Sequence, residues 1–295
     1  MKFRGVFTAL ITPFKSNGDV DEEALKKLIE FQMENGIDGI VPCGTTGECP
    51  TLSHDEHDRI IQLTVKFVNK KIPVIAGTGS NSTSEAIKLT SHAKESGADA
   101  VLLVNPYYNK PTQKGLYLHF KAIADAVDIP CFVYNIKGRT AVNVETGTLV
   151  KLMNDCKNII AVKEASGDLN QMKDVVAKSK EGFSVLSGDD NITLDLIEAG
   201  GDGVISVASN LVPDRMLKMV HTALDGDMGQ ARELEKELAD LFRVEFIETN
   251  PIPIKTAVAM TGMCEEAFRL PMCEFEKPEH REELKKVMKK LNLIG

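Results

Sequence analysis

Apolar and polar positions along this chain follow two alternating patterns. Short runs rich in aliphatic and β-branched residues read as strands: Val6–Phe14, Gly39–Cys43, Pro73–Gly77, Ala100–Asn105, Pro130–Asn135, Ile159–Lys163, Phe183–Ser187 and Gly203–Ser206. Between them lie segments with helical spacing, such as Glu22–Glu34 and Leu169–Ser179. The step from one strand to the next is roughly 20 to 35 residues, the size of a strand-plus-helix unit. Eight such units predict an α/β chain folded as a (β/α)8 barrel over residues 1–226.

Helix boundaries agree with that reading. Ser53-His54-Asp55-Glu56 and Ser82-Thr83-Ser84-Glu85 both fit a capping box, and Gly36, Gly97 and Gly200 stand where helices should end in a left-handed cap. An open doubly wound sheet would carry a glycine-rich turn after its first strand, whereas this chain has Thr12-Pro13-Phe14 there. After Gly226 the alternation stops. Helical patterns at Gln230–Glu248, Ile254–Met260 and Glu279–Leu293 follow, punctuated by Pro251, Pro253, Pro271 and Pro278. Residues 227–295 are therefore expected to form a helical region that covers the barrel or a partner subunit.

One strand ends in an unusual residue. In Ile159-Ile160-Ala161-Val162-Lys163, period-two alternation puts Ile160 and Val162 on one face and Ala161 and Lys163 on the other. The bulky face should meet the helices and the second face the barrel interior. Burial there disfavours the ammonium, and a neutral lysine amine can attack a carbonyl to form a Schiff base.

Composition narrows the classes of function. The 295 residues include 43 acidic and 35 basic side chains, a formal charge of -8, with no basic face for nucleic acid. No apolar run approaches the ~20 residues of a membrane span. The start, Met1-Lys2-Phe3-Arg4-Gly5, leads into an apolar run and then Thr12-Pro13-Phe14, so a first strand is expected there rather than a signal peptide. Cys43, Cys49, Cys131, Cys156, Cys264 and Cys273 form no Cys-x-x-Cys pair, which fits reduced thiols in a cytoplasmic protein. His54 and His57 are one helical turn apart but lack a third ligand, so no metal site is expected.

Active sites of such barrels lie at the C-terminal ends of the strands. Those ends carry Gly44-Thr45-Thr46-Gly47-Glu48, Asn105-Pro106-Tyr107-Tyr108, Tyr134-Asn135 with Arg139-Thr140, Lys163, Ser187-Gly188-Asp189-Asp190 and Ile205-Ser206. A lysine, tyrosines, two threonines and an arginine around one mouth suit Schiff-base chemistry on a 2-oxo acid. The glycine–threonine turn offers N–H groups and hydroxyls to a carboxylate, Tyr134 a proton relay, and Arg139 a bidentate grip on a second carboxylate.

Together with Pro106-Tyr107-Tyr108-Asn109, Val162-Lys163-Glu164-Ala165, Leu186-Ser187-Gly188-Asp189-Asp190, Gly203-Val204-Ile205-Ser206 and Asn250-Pro251-Ile252-Pro253, these segments resemble the dihydrodipicolinate synthase (4-hydroxy-tetrahydrodipicolinate synthase) family over nearly the whole chain. The resemblance implies a lyase-type condensation of pyruvate with L-aspartate 4-semialdehyde in lysine biosynthesis, needing no metal or organic cofactor. It implies that Lys163 forms the Schiff base and that Thr45 and Thr46 hold the pyruvate carboxylate. Tyr134, Thr45 and Tyr108 would relay protons, Tyr108 crossing a subunit contact in a homotetramer built as a dimer of dimers. Arg139 would hold the semialdehyde carboxylate, and Gly188 and Ile205 would line the pyruvate pocket.

Two positions depart from the family pattern, Lys137 where it usually has proline and Ala141 where it usually has glycine. In lysine-inhibited members the effector sits near positions that here are Cys49, Pro50, His54, His57, Asn81, Glu85 and Tyr107. The alternatives weighed are a related pyruvate-dependent aldolase, acting on N-acetylneuraminate or a 2-keto-3-deoxy sugar acid, and a non-catalytic barrel that binds an oxo acid or lysine.

Overall fold

A computed structural model describes residues 2–295. Eight parallel strands form its centre: β1 (Gly5–Ala9), β2 (Gly39–Val41), β3 (Ile75–Gly77), β4 (Ala100–Val104), β5 (Cys131–Asn135), β6 (Ile159–Glu164), β7 (Ser184–Ser187) and β8 (Gly203–Ser206). Their order is β2-β1-β8-β7-β6-β5-β4-β3, and a parallel bridge between Ile40 and Val74 closes the ring. Helices alternate with the strands, giving the expected (β/α)8 barrel.

Side-chain alternation sorts the barrel into two apolar regions. Val6, Ile40, Val101, Val133, Val162 and Val204 point outward and pack under the helices. Phe7, Val41, Leu102, Phe132, Ala161, Leu186 and Ile205 fill the interior. Phe3 plugs the N-terminal end, its ring edge-on to Phe132 with centroids 4.9 Å apart. That plug leaves the C-terminal end as the open mouth.

Three expectations need correction. Strand β1 stops at Ala9 rather than Phe14, because the chain leaves the sheet after Leu10 and Phe14 pairs only in an isolated bridge to Val20. Ile160 does not share a face with Val162. A β-bulge shifts the β5–β6 register between Cys131 and Phe132, so Cys131 faces Ile159 while Phe132 faces Ala161, and Ile160 packs against the interior cluster. Ala161 and Lys163 keep the expected inward face. Third, Ser53 and Glu56 form the predicted capping box, whereas Ser82 caps nothing with its side chain. Glu85 instead turns to Ser80 and His54.

The C-terminal segment forms helices Met228–Val244, Ile252–Met260 and Pro278–Lys290, close to the predicted ones. Leu238, Leu241, Ile254, Val258 and Leu284 join the same apolar core as the outward strand residues. Among the described residues no helix is long and apolar enough to cross a membrane.

Candidate active site

Lys163 ends the inward row of β6 and is only 5% exposed. Its register partner on β5 is Tyr134, and the lysine Nζ sits 4.5 Å from the tyrosine ring centroid. Gly188, just past β7, makes room for the lysine: a Cβ there would stand 2.9 Å from Lys163 Cε and 2.5 Å from Ala165 Cβ. The Gly188 N–H donates to the Glu164 carbonyl at 2.8 Å, which ties the turn to β6.

Glu164 points away from the cavity and is fully buried. It accepts from Asn135 Nδ2 at 3.1 Å, from the Ser166 N–H at 2.8 Å and from Gln171 Nε2 at 3.3 Å. Burial pushes its carboxyl above the usual range, and those donors oppose the shift. Its place is to brace the ends of β5 and β6.

A cavity of about 530 Å³ opens above the lysine, lined by Thr45, Thr46, Tyr134, Arg139, Lys163, Gly188 and Ile205 among others. Seven of the eight residues expected to act on substrate therefore meet at one mouth. Tyr108 does not line it. Its side chain is 90% exposed on a backbone at φ +71°, a left-handed conformation disfavoured for tyrosine.

Sequence patterns assigned no role to several residues that help build the site. Asn250, from the C-terminal segment, donates from Nδ2 to Thr46 Oγ1 at 3.0 Å, and its carbonyl accepts from Arg139 Nη2 at 3.1 Å. Asp189 and Phe246 also line the cavity. Burial and the neighbouring Asp190 charge raise the Asp189 carboxyl, while Lys163 lowers it. Beneath the threonine turn, Glu48 and Lys255 form a fully buried ion pair at 2.6 Å, with Lys255 Nζ 4.0 Å from the Phe14 ring centroid. A lysine inside the largely apolar helix Ile252–Met260 carries the same signal that singled out Lys163.

The two departures from the family pattern flank Arg139 in sequence. Lys137 opens the short helix Lys137–Thr140 and is exposed. Ala141, its left-handed cap at φ +59°, takes a backbone conformation that glycine adopts more readily.

A second cavity, of about 650 Å³, is lined by Cys49, Pro50, His54, His57, Glu85 and Tyr107 among others. His54 Nε2 meets Glu85 Oε1 at 2.9 Å, and Ser80 also donates to Glu85. The Ser80 bond, and then the His54 bond, hold the Glu85 carboxyl below its usual range. His57 is buried, with Nε2 2.8 Å from the Gly77 carbonyl, and burial lowers its pKa. Asn81 does not line this cavity. It steadies Tyr107 by donating to its carbonyl at 3.2 Å.

The dihydrodipicolinate synthetase family model matches residues 2–291. The chain belongs to this family. A relative named 4-hydroxy-tetrahydrodipicolinate synthase, from Aquifex aeolicus (strain VF5), is 53% identical over 99% of this chain and 98% of its own length. The chloride-inhibited dihydrodipicolinate synthase of Acinetobacter baumannii, solved with pyruvate, superposes with a TM-score of 0.96 at 43% identity, covering 99% of this chain and 100% of the other. The synthase of Cyanidioschyzon merolae, solved with lysine bound, has a TM-score of 0.96 at 40% identity and covers 99% of each chain. Membership of the dihydrodipicolinate synthetase family thus extends over the barrel and the C-terminal helices alike.

Proposed function

We propose that this chain is a 4-hydroxy-tetrahydrodipicolinate synthase, condensing pyruvate with L-aspartate 4-semialdehyde in lysine (diaminopimelate) biosynthesis. The observation that carries the reading is Lys163, buried at the floor of the cavity beside the Tyr134 ring. Its amine adds to C2 of pyruvate, and loss of water from the carbinolamine gives the imine. A proton leaves the methyl carbon to form the enamine, whose carbon attacks the aldehyde, turning its oxygen into a hydroxyl. The amine of the second substrate then adds to the imine carbon and expels Lys163 as the ring closes.

In this reading Thr45 and Thr46 hold the pyruvate carboxylate, with the Thr46 hydroxyl oriented by Asn250. Tyr134 moves protons to and from the carbinolamine, relayed through Thr45 and Tyr108. Gly188 and Ile205 shape the pyruvate pocket. Arg139, anchored on the Asn250 carbonyl, holds the carboxylate of the semialdehyde.

Tyr108 serves a neighbouring subunit's cavity, in keeping with its outward position, and the assembly is a homotetramer built as a dimer of dimers. Lysine is the effector at the second cavity, its ammonium suited to Glu85 and its carboxylate to His54. The six free cysteines support a reducing compartment, the cytoplasm.

Borohydride reduction with and without pyruvate, followed by intact mass and peptide mapping, tests the central step. A pyruvate-dependent adduct on Lys163 is expected, and its absence from folded protein would overturn the reading. Turnover with aspartate semialdehyde, rather than N-acetylneuraminate or 2-keto-3-deoxygluconate, separates the synthase from related aldolases. Tyr108→Phe and Lys163→Ala chains, each inactive alone, should regain activity when mixed and reassembled. Millimolar lysine should lower the initial rate.

A further inference from the structure

Just past the helix Met228–Val244, Glu245 immediately precedes Phe246, which lines the cavity. The Glu245 carboxyl is completely buried, and neither oxygen has a donor among the described residues. Asp190, in the turn after β7, is 1% exposed and has its own orphaned atom, Oδ1. The helix Met228–Val244 packs on the turn Asp190–Ile192, which brings Glu245 up to Asp190. The second oxygen of Asp190, Oδ2, accepts from the Val207 N–H at 2.8 Å and the Ala208 N–H at 3.0 Å, just past the end of β8.

Two ionised carboxylates cannot share so dry a place, since both are acceptors only and their charges repel at short range. One proton between them satisfies the orphaned atom of Asp190 and one of those of Glu245. Asp190 already takes two backbone N–H donors, which favour its charged form, whereas Glu245 has none. The proton therefore belongs on Glu245. The charged groups facing Glu245 are Asp190 and Asp189, both acidic, and burial acts in the same direction, so its carboxyl is held well above the usual range.

We propose that Glu245 is a positioning residue of the pyruvate half-site: as the neutral acid it donates to Asp190 Oδ1 and so holds Asp190 as the clamp on the Val207 and Ala208 N–H groups. This inference rests on the proposed synthase reading. Asp189 and Val207, neighbours of the clamp in sequence, both line the cavity with Lys163. An ionised Glu245 would push Asp190 off those N–H groups and add negative charge close to a site that must accept the pyruvate carboxylate. Glu245 would then set the affinity for the first substrate without touching it.

Full-length Glu245→Gln and Glu245→Leu proteins test this. Glu245→Leu, which has no donor, should raise the KM for pyruvate about tenfold, the scale of one hydrogen bond to a charged group. The KM for the semialdehyde should stay nearly constant. Glu245→Gln keeps an N–H donor and should restore most of the affinity for pyruvate. Melting temperature adds a readout that simple packing would not move. Folded wild type keeps a proton that the unfolded chain releases above the ordinary carboxylate range, so wild type should lose stability relative to Glu245→Gln as pH rises from 5 to 8.

A Glu245→Gln minus wild-type difference that stays flat with pH would overturn the proposal, as would a Glu245→Gln defect as large as that of Glu245→Leu. If Glu245→Leu fails to fold, the Glu245→Gln melting series decides alone. Loss of the pyruvate adduct from wild type itself would sink the synthase reading, while the melting series would still report on the carboxyl pair.

Discussion

Tyr134 and Lys163 are direct register partners on adjacent parallel strands, and the lysine Nζ lies 4.5 Å from the tyrosine ring centroid. The pairing places a hydroxyl-bearing ring next to the amine on two rigid strands. Tyr134→Phe keeps the ring and its packing but removes the hydroxyl proposed to carry protons. It should lower kcat by about 10² to 10⁴, the usual range for a positioned acid–base group, with little change in melting temperature. Steady-state kinetics beside borohydride trapping checks this. The adduct should still form on Lys163, only more slowly, whereas Lys163→Ala should give none.

Gly188 sets the clearance around the same lysine. A Cβ at this position would lie 2.9 Å from Lys163 Cε and 2.5 Å from Ala165 Cβ, closer than ordinary van der Waals contact. Gly188→Ala should therefore turn the lysine out of line and cut kcat/KM for pyruvate by roughly tenfold or more, as small misplacements of a reacting group do. Kinetics with pyruvate as the varied substrate reads the effect. Wild-type efficiency in that variant would show that the turn after β7 can yield.

The Glu48–Lys255 pair joins the threonine turn to the helix Ile252–Met260 with no exposure to solvent. Removing one partner leaves the other charged and unpaired in the core, so Lys255→Met should cost about 3–5 kcal/mol in stability. Glu48→Gln together with Lys255→Met removes both charges and should recover part of that loss. Chemical denaturation of the single and double variants measures both quantities. Because Glu48 follows Thr45-Thr46-Gly47, the single variant should also weaken pyruvate binding.

What could be read from the sequence depended on whether a signal was local. The spacing of apolar runs was enough for eight strand–helix units, and period-two alternation in β6 correctly turned Ala161 and Lys163 inward. The same rule failed at Ile160 because a bulge adds one residue to one strand, and no side chain announces it. Ser82 and Glu85 had the spacing of a capping box, yet Ser80 and His54, brought in by neighbouring segments, compete for that carboxylate. Asn250 stood in a recognisable motif, but its contact with Thr46 spans 204 positions. Pairings of that reach depend on how the C-terminal helices settle over the barrel, which periodicity does not encode.

Glu56 offers a test of that docking through pH. Arg269, from the C-terminal segment, donates to both its oxygens, at 2.5 Å and 2.8 Å, and the Ser53 N–H donates at 2.9 Å. The Arg269 hydrogen bonds, against a smaller opposing effect of burial, lower the Glu56 pKa to about 2. A carboxyl with a depressed folded-state pKa stabilises the fold above its unfolded value, near 4.3, and that contribution is lost as pH falls toward the folded value. Wild type should therefore lose stability between about pH 4.5 and pH 2 faster than Arg269→Gln does. Because the pair is partly exposed, the extra loss should be about 1–2 kcal/mol rather than the full linkage value. Denaturation midpoints of the two proteins across that interval measure it, and parallel curves would mean that Arg269 does not hold the Glu56 charge in solution.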